Sequence, residues 1–218
     1  MPKRKKSPRK PAFAFDPIAA VAHLRACDPV LGELIARRPF TLELRPVKSV
    51  FEALLRSIIY QQLHGRAASA IHGRVLAVLR AHGPVGPATL ARTPDEPLRG
   101  AGLSAGKLRA LRDLAEKCLA GIVPTVAQAR RMNEAELIER LTAVRGIGPW
   151  TVHVLMIFYL GHGDVMPTGD LAVRAAFRKL YGKRRDPSPA AILRHAKKWS
   201  PYRSVASWYL WRSLDTVT

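Results

Sequence analysis

Leu141-Thr142-Ala143-Val144-Arg145-Gly146-Ile147-Gly148-Pro149-Trp150-Thr151 joins an amphipathic stretch to an apolar one through two glycines that flank a single aliphatic residue. Upstream, Asn133 with Glu136 three residues later reads as a capping box, opening a helix whose apolar face is Leu137, Ile138 and Leu141 and which runs to about Ala143. Downstream, Trp150 to Leu160 is apolar on nearly all sides, which predicts a helix buried within a bundle and stopped by Gly161. Gly146 and Gly148 permit positive φ and close backbone approach, Ile147 plugs into the core, and the second helix turns its free N–H groups outward. A DNA phosphate fits such a helix start, with Arg145, Gly146, Ile147, Gly148 and Thr151 as the residues expected to meet it. An ordinary αα-hairpin has the same Gly-x-Gly outline, so the remainder of the chain must decide.

Most of that remainder has helical period. Phe51, Leu54, Leu55, Ile58 and Ile59 form one apolar stripe, and Arg66 to His82 places Ala70, Ile71, Val75, Val78 and Leu79 on one side before Gly83-Pro84. Thr93-Pro94-Asp95-Glu96 reads as an N-cap, a first-turn proline and early acidic residues. Ser104 opens a helix carrying Leu108, Leu111, Leu114 and Cys118 and ended by Gly121, and the tail predicts helices at about Leu171–Tyr181, Pro189–Trp199 and Tyr202–Leu214. Pro84 to Pro97 is expected to be a loop within the bundle, and the only alternating segment is Phe40 to Leu44. The class expected is all-α, a compact bundle of about ten helices. Residues 1–12 are expected to be a disordered basic arm, and 13–218 one domain with its helix-hairpin-helix at about 134–160.

Charge narrows the partners. The 218 residues carry a formal net charge of +20 with a pI near 11.0, and six of the positive charges, Lys3, Arg4, Lys5, Lys6, Arg9 and Lys10, sit in the arm. The body is therefore basic too, which favours a polyanion: neutralising phosphates releases condensed counterions. No run of 18 apolar residues and no signal-peptide core occurs, so no membrane partner is expected and the location is taken as cytoplasmic, nucleoid-associated. Cys27 and Cys118 are the only cysteines, which argues against a disulfide framework, structural zinc or an iron-sulfur cluster and leaves core packing for both. A monomer is the default.

The hairpin, the Pro167-Thr168-Gly169-Asp170 that follows it, Ser57-Ile58-Ile59-Tyr60-Gln61-Gln62-Leu63, Ala101-Gly102-Leu103-Ser104, and Trp199 to Ala206 ahead of Trp208 and Trp211 together resemble the helix-hairpin-helix DNA glycosylases. The last segment is most similar to the 3-methyladenine DNA glycosylase II, or alkylation-repair, branch, although this chain is too short for the extra N-terminal α/β domain of that branch's longer members. The resemblance implies two helical subdomains with the active-site cleft between them, Asp170 as the catalytic carboxylate, and Leu63 as the wedge that fills the stack vacated by a flipped nucleotide. It matches Trp150 and Trp211 to pocket aromatics, with Tyr60 and Trp208 as further candidates. It implies no required cofactor, and a structural monovalent cation (Na or K) held by main-chain carbonyls of about Thr142, Val144 and Ile147.

The chemistry fits these residue types. Breaking an N-glycosidic bond builds positive charge on the deoxyribose, which a buried carboxylate stabilises; Asp170 is also a plausible N-cap for the helix that follows, and the two roles are compatible. Alkylated purines are cationic, so they leave readily and suit aromatic faces. Bifunctional relatives place a lysine where Trp150 stands, and no lysine lies between Lys117 and Lys179, so an intact abasic strand is the expected product. His153 and His162 are read as non-catalytic. The expected partner is double-stranded DNA with alkylated bases; the alternatives are a glycosylase for another lesion or mismatch and a non-catalytic helix-hairpin-helix DNA-binding module.

Overall fold

The structure, a computed structural model, describes residues 12–215. The arm expected at residues 1–12 lies, Ala12 apart, outside them. Among the described residues there are thirteen α-helices and no strand. In chain order they are α1 (Pro17–Cys27), α2 (Pro29–Arg37), α3 (Val50–Tyr60), α4 (Gly65–His82), α5 (Pro87–Arg92), α6 (Asp95–Gly100), α7 (Ala105–Leu119), α8 (Val126–Ala129), α9 (Glu134–Thr142), α10 (Pro149–Leu155), α11 (Leu171–Leu180), α12 (Pro189–Ala196) and α13 (Arg203–Arg212). The all-α class holds, and the excess over ten comes from helices of two turns or fewer, which are too short to show a period.

Short polar side chains open many of these helices. Asp16, Asp28, Ser49, Ser104, Asp170 and Ser188 each accept a first-turn backbone N–H. Asn133 and Glu136 form the reciprocal box expected at α9, and Thr125 with Gln128 forms a second one at α8. Thr93 departs from its expected role. Its hydroxyl donates to Thr89 O at 2.8 Å and so closes α5, a helix in a stretch expected to be loop, while Pro94 occupies the N-cap position of α6.

The chain forms two compact units, residues 12–46 with 156–215, and Val47–Leu155. In the second unit, α3 packs on α4 and α7, and α5 packs on α7. Its core is mainly aliphatic: Leu54, Leu55, Ile58, Ile59, Val75, Leu79, Leu111 and Leu114 are all fully buried, each contributing roughly 1.5–3 kcal/mol of hydrophobic stabilisation. The α4 face is carried by Ala68, Val75 and Leu79, and Ala70 is exposed because it falls off that stripe.

In the first unit, α11 and α2 pack on α13, and the core includes Leu24, Leu31, Phe177, Trp199, Trp208 and Tyr209. Asp28, at 1% exposure, joins its elements. Its Oδ1 caps α2 through Leu31 N–H, while its Oδ2 accepts from Tyr181 Oη at 2.7 Å and Trp199 Nε1 at 2.9 Å and meets His195 Nε2 and Lys198 Nζ at 3.0 Å. Burial alone would raise this carboxyl, but the donors from Tyr181, Lys198 and Trp199 hold it well below the usual range. Burial, followed by the bond to Asp28, pushes the Tyr181 phenol up.

The helix expected from Trp150 to Leu160 is α-helical to Leu155 and continues as a π-helical turn, Met156–Leu160, which His162 N–H closes onto Met156 O at 3.0 Å. Gly161 ends it at φ +77°. A Cβ there would stand 2.8 Å from Leu44 Cδ1 and 3.2 Å from Ala12 O, and Ala14 N–H donates to Gly161 O at 3.0 Å, so segment 12–15 is laid directly on this backbone.

Candidate active site

In the second unit the hairpin is built as its sequence requires. The capped α9 ends at Thr142, Val144 and Ile147 are buried, Gly146 has φ +80°, and α10 begins at Pro149. Arg145 and Gly146 are exposed, Thr151 is buried, and the Ile147 N–H folds back on Val144 O at 3.0 Å. The Arg145 N–H donates to Asp113 Oδ2 on α7 at 2.7 Å, a bond across 32 residues that no local motif announces. His153 meets Glu134 Oε1 at 2.8 Å and ties α10 to the start of α9, so its ring is committed to the hairpin's own structure.

Leu63 lies in the turn between α3 and α4. It is 38% exposed, which rules out a core leucine and leaves an aliphatic side chain presented to solvent. Gln62 before it holds φ +55°, an uncommon state for a residue with a Cβ, and Gln61 Nε2 donates to Gly146 O of the hairpin at 2.7 Å. Lys107 Nζ on α7 donates to Ile59 O at 2.6 Å and so caps the last turn of α3; burial lowers this ammonium.

The aromatic candidates separate sharply. Trp150, in the first turn of α10, is 52% exposed. Trp211, in the first unit, is part-buried with its ring 5.4 Å from that of Phe158. Tyr60 carries the Arg56 guanidinium 3.7 Å over one face, so that face already holds a cation and repels a cationic base. Trp208 is 4% exposed, packed edge-on against Phe40 at 5.0 Å inside the first unit's core, which leaves no face for a base. Of the four, Tyr60 has the most cationic surroundings and Trp208 is the most buried.

Asp170, also in the first unit, ends the loop Pro167–Gly169 and opens α11. It is 8% exposed, its N–H donates to Pro167 O at 2.9 Å, and its Oδ1 accepts from Val173 N–H at 2.8 Å. The cap is real, and it holds a carboxylate in a buried, oriented position where the helix dipole favours negative charge. Leu171, the next residue, is exposed. Neither Cys27 nor Cys118 is in a disulfide, and burial pushes the Cys118 thiol up to about 12. Among the described residues no cluster of His, Cys, Asp or Glu could hold a metal ion, and no helix is long and apolar enough to cross a membrane.

Comparison with known proteins identifies the chain's relatives. The family model described as HhH-GPD superfamily base excision DNA repair protein matches residues 55–201. DNA-3-methyladenine glycosylase 1 of Schizosaccharomyces pombe is 39% identical over 166 residues, 76% of this chain and 73% of that protein. Among solved structures, the S. pombe 3-methyladenine DNA glycosylase in complex with abasic DNA superimposes with a TM-score of 0.76 at 35% identity, covering 89% of this chain and 95% of that one. A DNA-3-methyladenine glycosidase from Bacillus halodurans gives 0.81 at 33% identity, over 94% and 92%. With a family model matched over residues 55–201 and a relative 39% identical over 76% of its length, this chain belongs to the HhH-GPD superfamily of base excision DNA repair proteins.

Proposed function

We propose that the chain is a DNA glycosylase that excises alkylated bases, 3-methyladenine and 7-methylguanine among them, by hydrolysing the N-glycosidic bond and leaving an abasic site. The observation that carries this reading is the buried Asp170 carboxylate, held by the Val173 N–H at the head of α11 in a chain of a base-excision family. As the C1′–N bond breaks, the base leaves with the electron pair and positive charge spreads over C1′ and the ring oxygen. A fixed carboxylate stabilises that charge without reorganising, and mutations of such groups cost on the order of 10²- to 10³-fold in rate. Water then adds to C1′ and loses a proton, with Asp170 as the acceptor that orients it. A base already cationic through alkylation needs no general acid to leave, which agrees with His153 being bonded to Glu134.

The remaining roles are read from residue type, exposure and position. The hairpin, Arg145 to Thr151, holds a phosphate of double-stranded DNA; Leu63 fills the gap left by the extruded nucleotide, a step costing on the order of a few kcal/mol. Trp150 and Trp211 are the aromatic faces offered to electron-poor bases. No amine stands at Trp150 for Schiff-base chemistry, so the strand stays intact. A single copy carries all these groups, and we read the enzyme as a monomer. The carbonyls of Thr142, Val144 and Ile147 are neutral donors at the C-terminal end of α9, a set suited to a monovalent cation rather than a divalent one. Such an ion would supply positive charge beneath the phosphate-facing loop; the protein's own part is to fix those carbonyls through the Ile147 to Val144 bond.

Single-turnover release of base from duplex DNA containing N3-methyladenine or N7-methylguanine tests the reading. Wild type is expected to release base and Asp170→Asn to lose release while retaining binding to an abasic-site analogue. Absence of release by wild type would leave a DNA-binding module or a glycosylase for another lesion.

A further inference from the structure

Three hydrogen bonds in the second unit close a ring that the reaction above does not use. Gln61 Nε2 donates to Gly146 O at 2.7 Å, Arg145 N–H donates to Asp113 Oδ2 at 2.7 Å, and Lys107 Nζ donates to Ile59 O at 2.6 Å. Asp113 and Lys107 share α7, Ile59 and Gln61 share the end of α3, and Arg145 and Gly146 share the hairpin. Each bond thus joins two of three elements, and the circuit is complete.

The ring includes the residue that sets the presented leucine. Gln61 is the C-cap of α3, Gln62 follows in the left-handed region, and Leu63 comes next, so the anchored amide lies two residues from the exposed side chain. On the other side, Gly146 is fitted to its place: at φ +80° a Cβ would lie 3.7 Å from Ala110 Cβ and 3.9 Å from Gln61 Oε1. The peptide group between Gly146 and Ile147 accepts from Gln61 and donates to Val144 O at 3.0 Å. Hydrogen bonds aligned through one peptide group polarise each other, so the wedge turn is connected to the interior of the hairpin by a cooperative chain.

We infer that Gln61 is a positioning residue whose bond to the Gly146 carbonyl holds the Leu63 turn in register with the phosphate-binding hairpin, so that a hairpin seated on DNA presents Leu63 to the base stack. Asp113 and Lys107 brace the same turn from α7. This rests on the reading of Leu63 as wedge and of the hairpin as phosphate contact. It concerns base extrusion alone, and so makes a demand that a general stabilising role does not.

The test uses the full chain and two N7-methylguanine substrates, one in a normal pair and one in a single-base bulge that is already loosened from the stack. Gln61→Leu, and Gln61→Glu, which keeps the length but loses the donor, should slow single-turnover release from the paired lesion about tenfold, the loss expected of one aligned hydrogen bond. Both should come within about twofold of wild type on the bulge and bind undamaged duplex as wild type does. Adding Leu63→Ala to Gln61→Leu should slow release no further than Leu63→Ala alone. Release at the wild-type rate by both Gln61 variants beside a slow Leu63→Ala, or an equal deficit on both substrates, would overturn the inference alone. A wild-type rate for Leu63→Ala would overturn the wedge reading and this inference with it.

Discussion

Twelve of the chain's fifteen aromatic residues lie in the unit made of residues 12–46 and 156–215, and three, Phe51, Tyr60 and Trp150, lie in the other. In the first unit rings are building material: Phe177, Tyr181, His195 and Trp199 pack edge to face around Asp28, and Phe40, Trp208 and Tyr209 form a second group. The second unit fills its core mainly with leucine, isoleucine and valine, Phe51 being a buried ring among them, and leaves Trp150 half exposed. A tryptophan therefore carries different information in the two places. Where rings already form the core, one more is explained by packing; where the core is mainly aliphatic, core packing does not account for a half-exposed ring, and the stacking role proposed for it can be tested apart from stability.

That contrast can be broken most directly at Trp208. Trp208→Ala should cost about 3–5 kcal/mol of unfolding free energy, the range for emptying a buried indole site. A loss below about 1 kcal/mol by urea unfolding would overturn the packing role of Trp208. Asp28→Asn should cost about 2–4 kcal/mol, because it strips a buried acceptor from Tyr181, Trp199, His195 and Lys198 together; base release per folded molecule should be unchanged. Trp150→Ala should behave in the opposite way, with stability altered by less than about 0.5 kcal/mol and release from alkylated duplex slowed roughly five- to a hundredfold, the scale of one base–aromatic stack. Wild-type release rates in that variant would place the stacking face elsewhere. The smallest effect concerns acid. Asp28 is held below its unfolded value, so its contribution is present above about pH 4 and is lost as the pH falls through the carboxylate range. The unfolding free energy of Asp28→Asn should decline less steeply than wild type between pH 5 and pH 3.

Local chemistry was legible in the sequence, and distant partnership was not. The capping box at Asn133 and Glu136, the Ser104 start, the glycine stops at Gly83, Gly121 and Gly161, and Asp170 as a helix cap are each fixed by residues within one turn of one another, and the structure has them all. The short α5 has too few residues for a period, and Thr93 could close one helix as well as open the next. The burial of Trp208 was not legible because a buried indole and a stacking indole obey the same sequence pattern. The bond from Gln61 to Gly146 spans 85 residues, and those to Asp28 span more than 150, distances at which no motif operates. The hairpin and the Asp170 cap were readable as residue types; the bonds from α7 to the hairpin and to the end of α3 were not.

The seating of segment 12–15 on Gly161 and Gly163 makes those two glycines a contact surface inside the first unit. A Cβ at Gly163 would stand 2.9 Å from Phe15 Cδ1, and one at Gly161 would press on Ala12 and Phe13, so a side chain at either position would lift the segment off the backbone it covers.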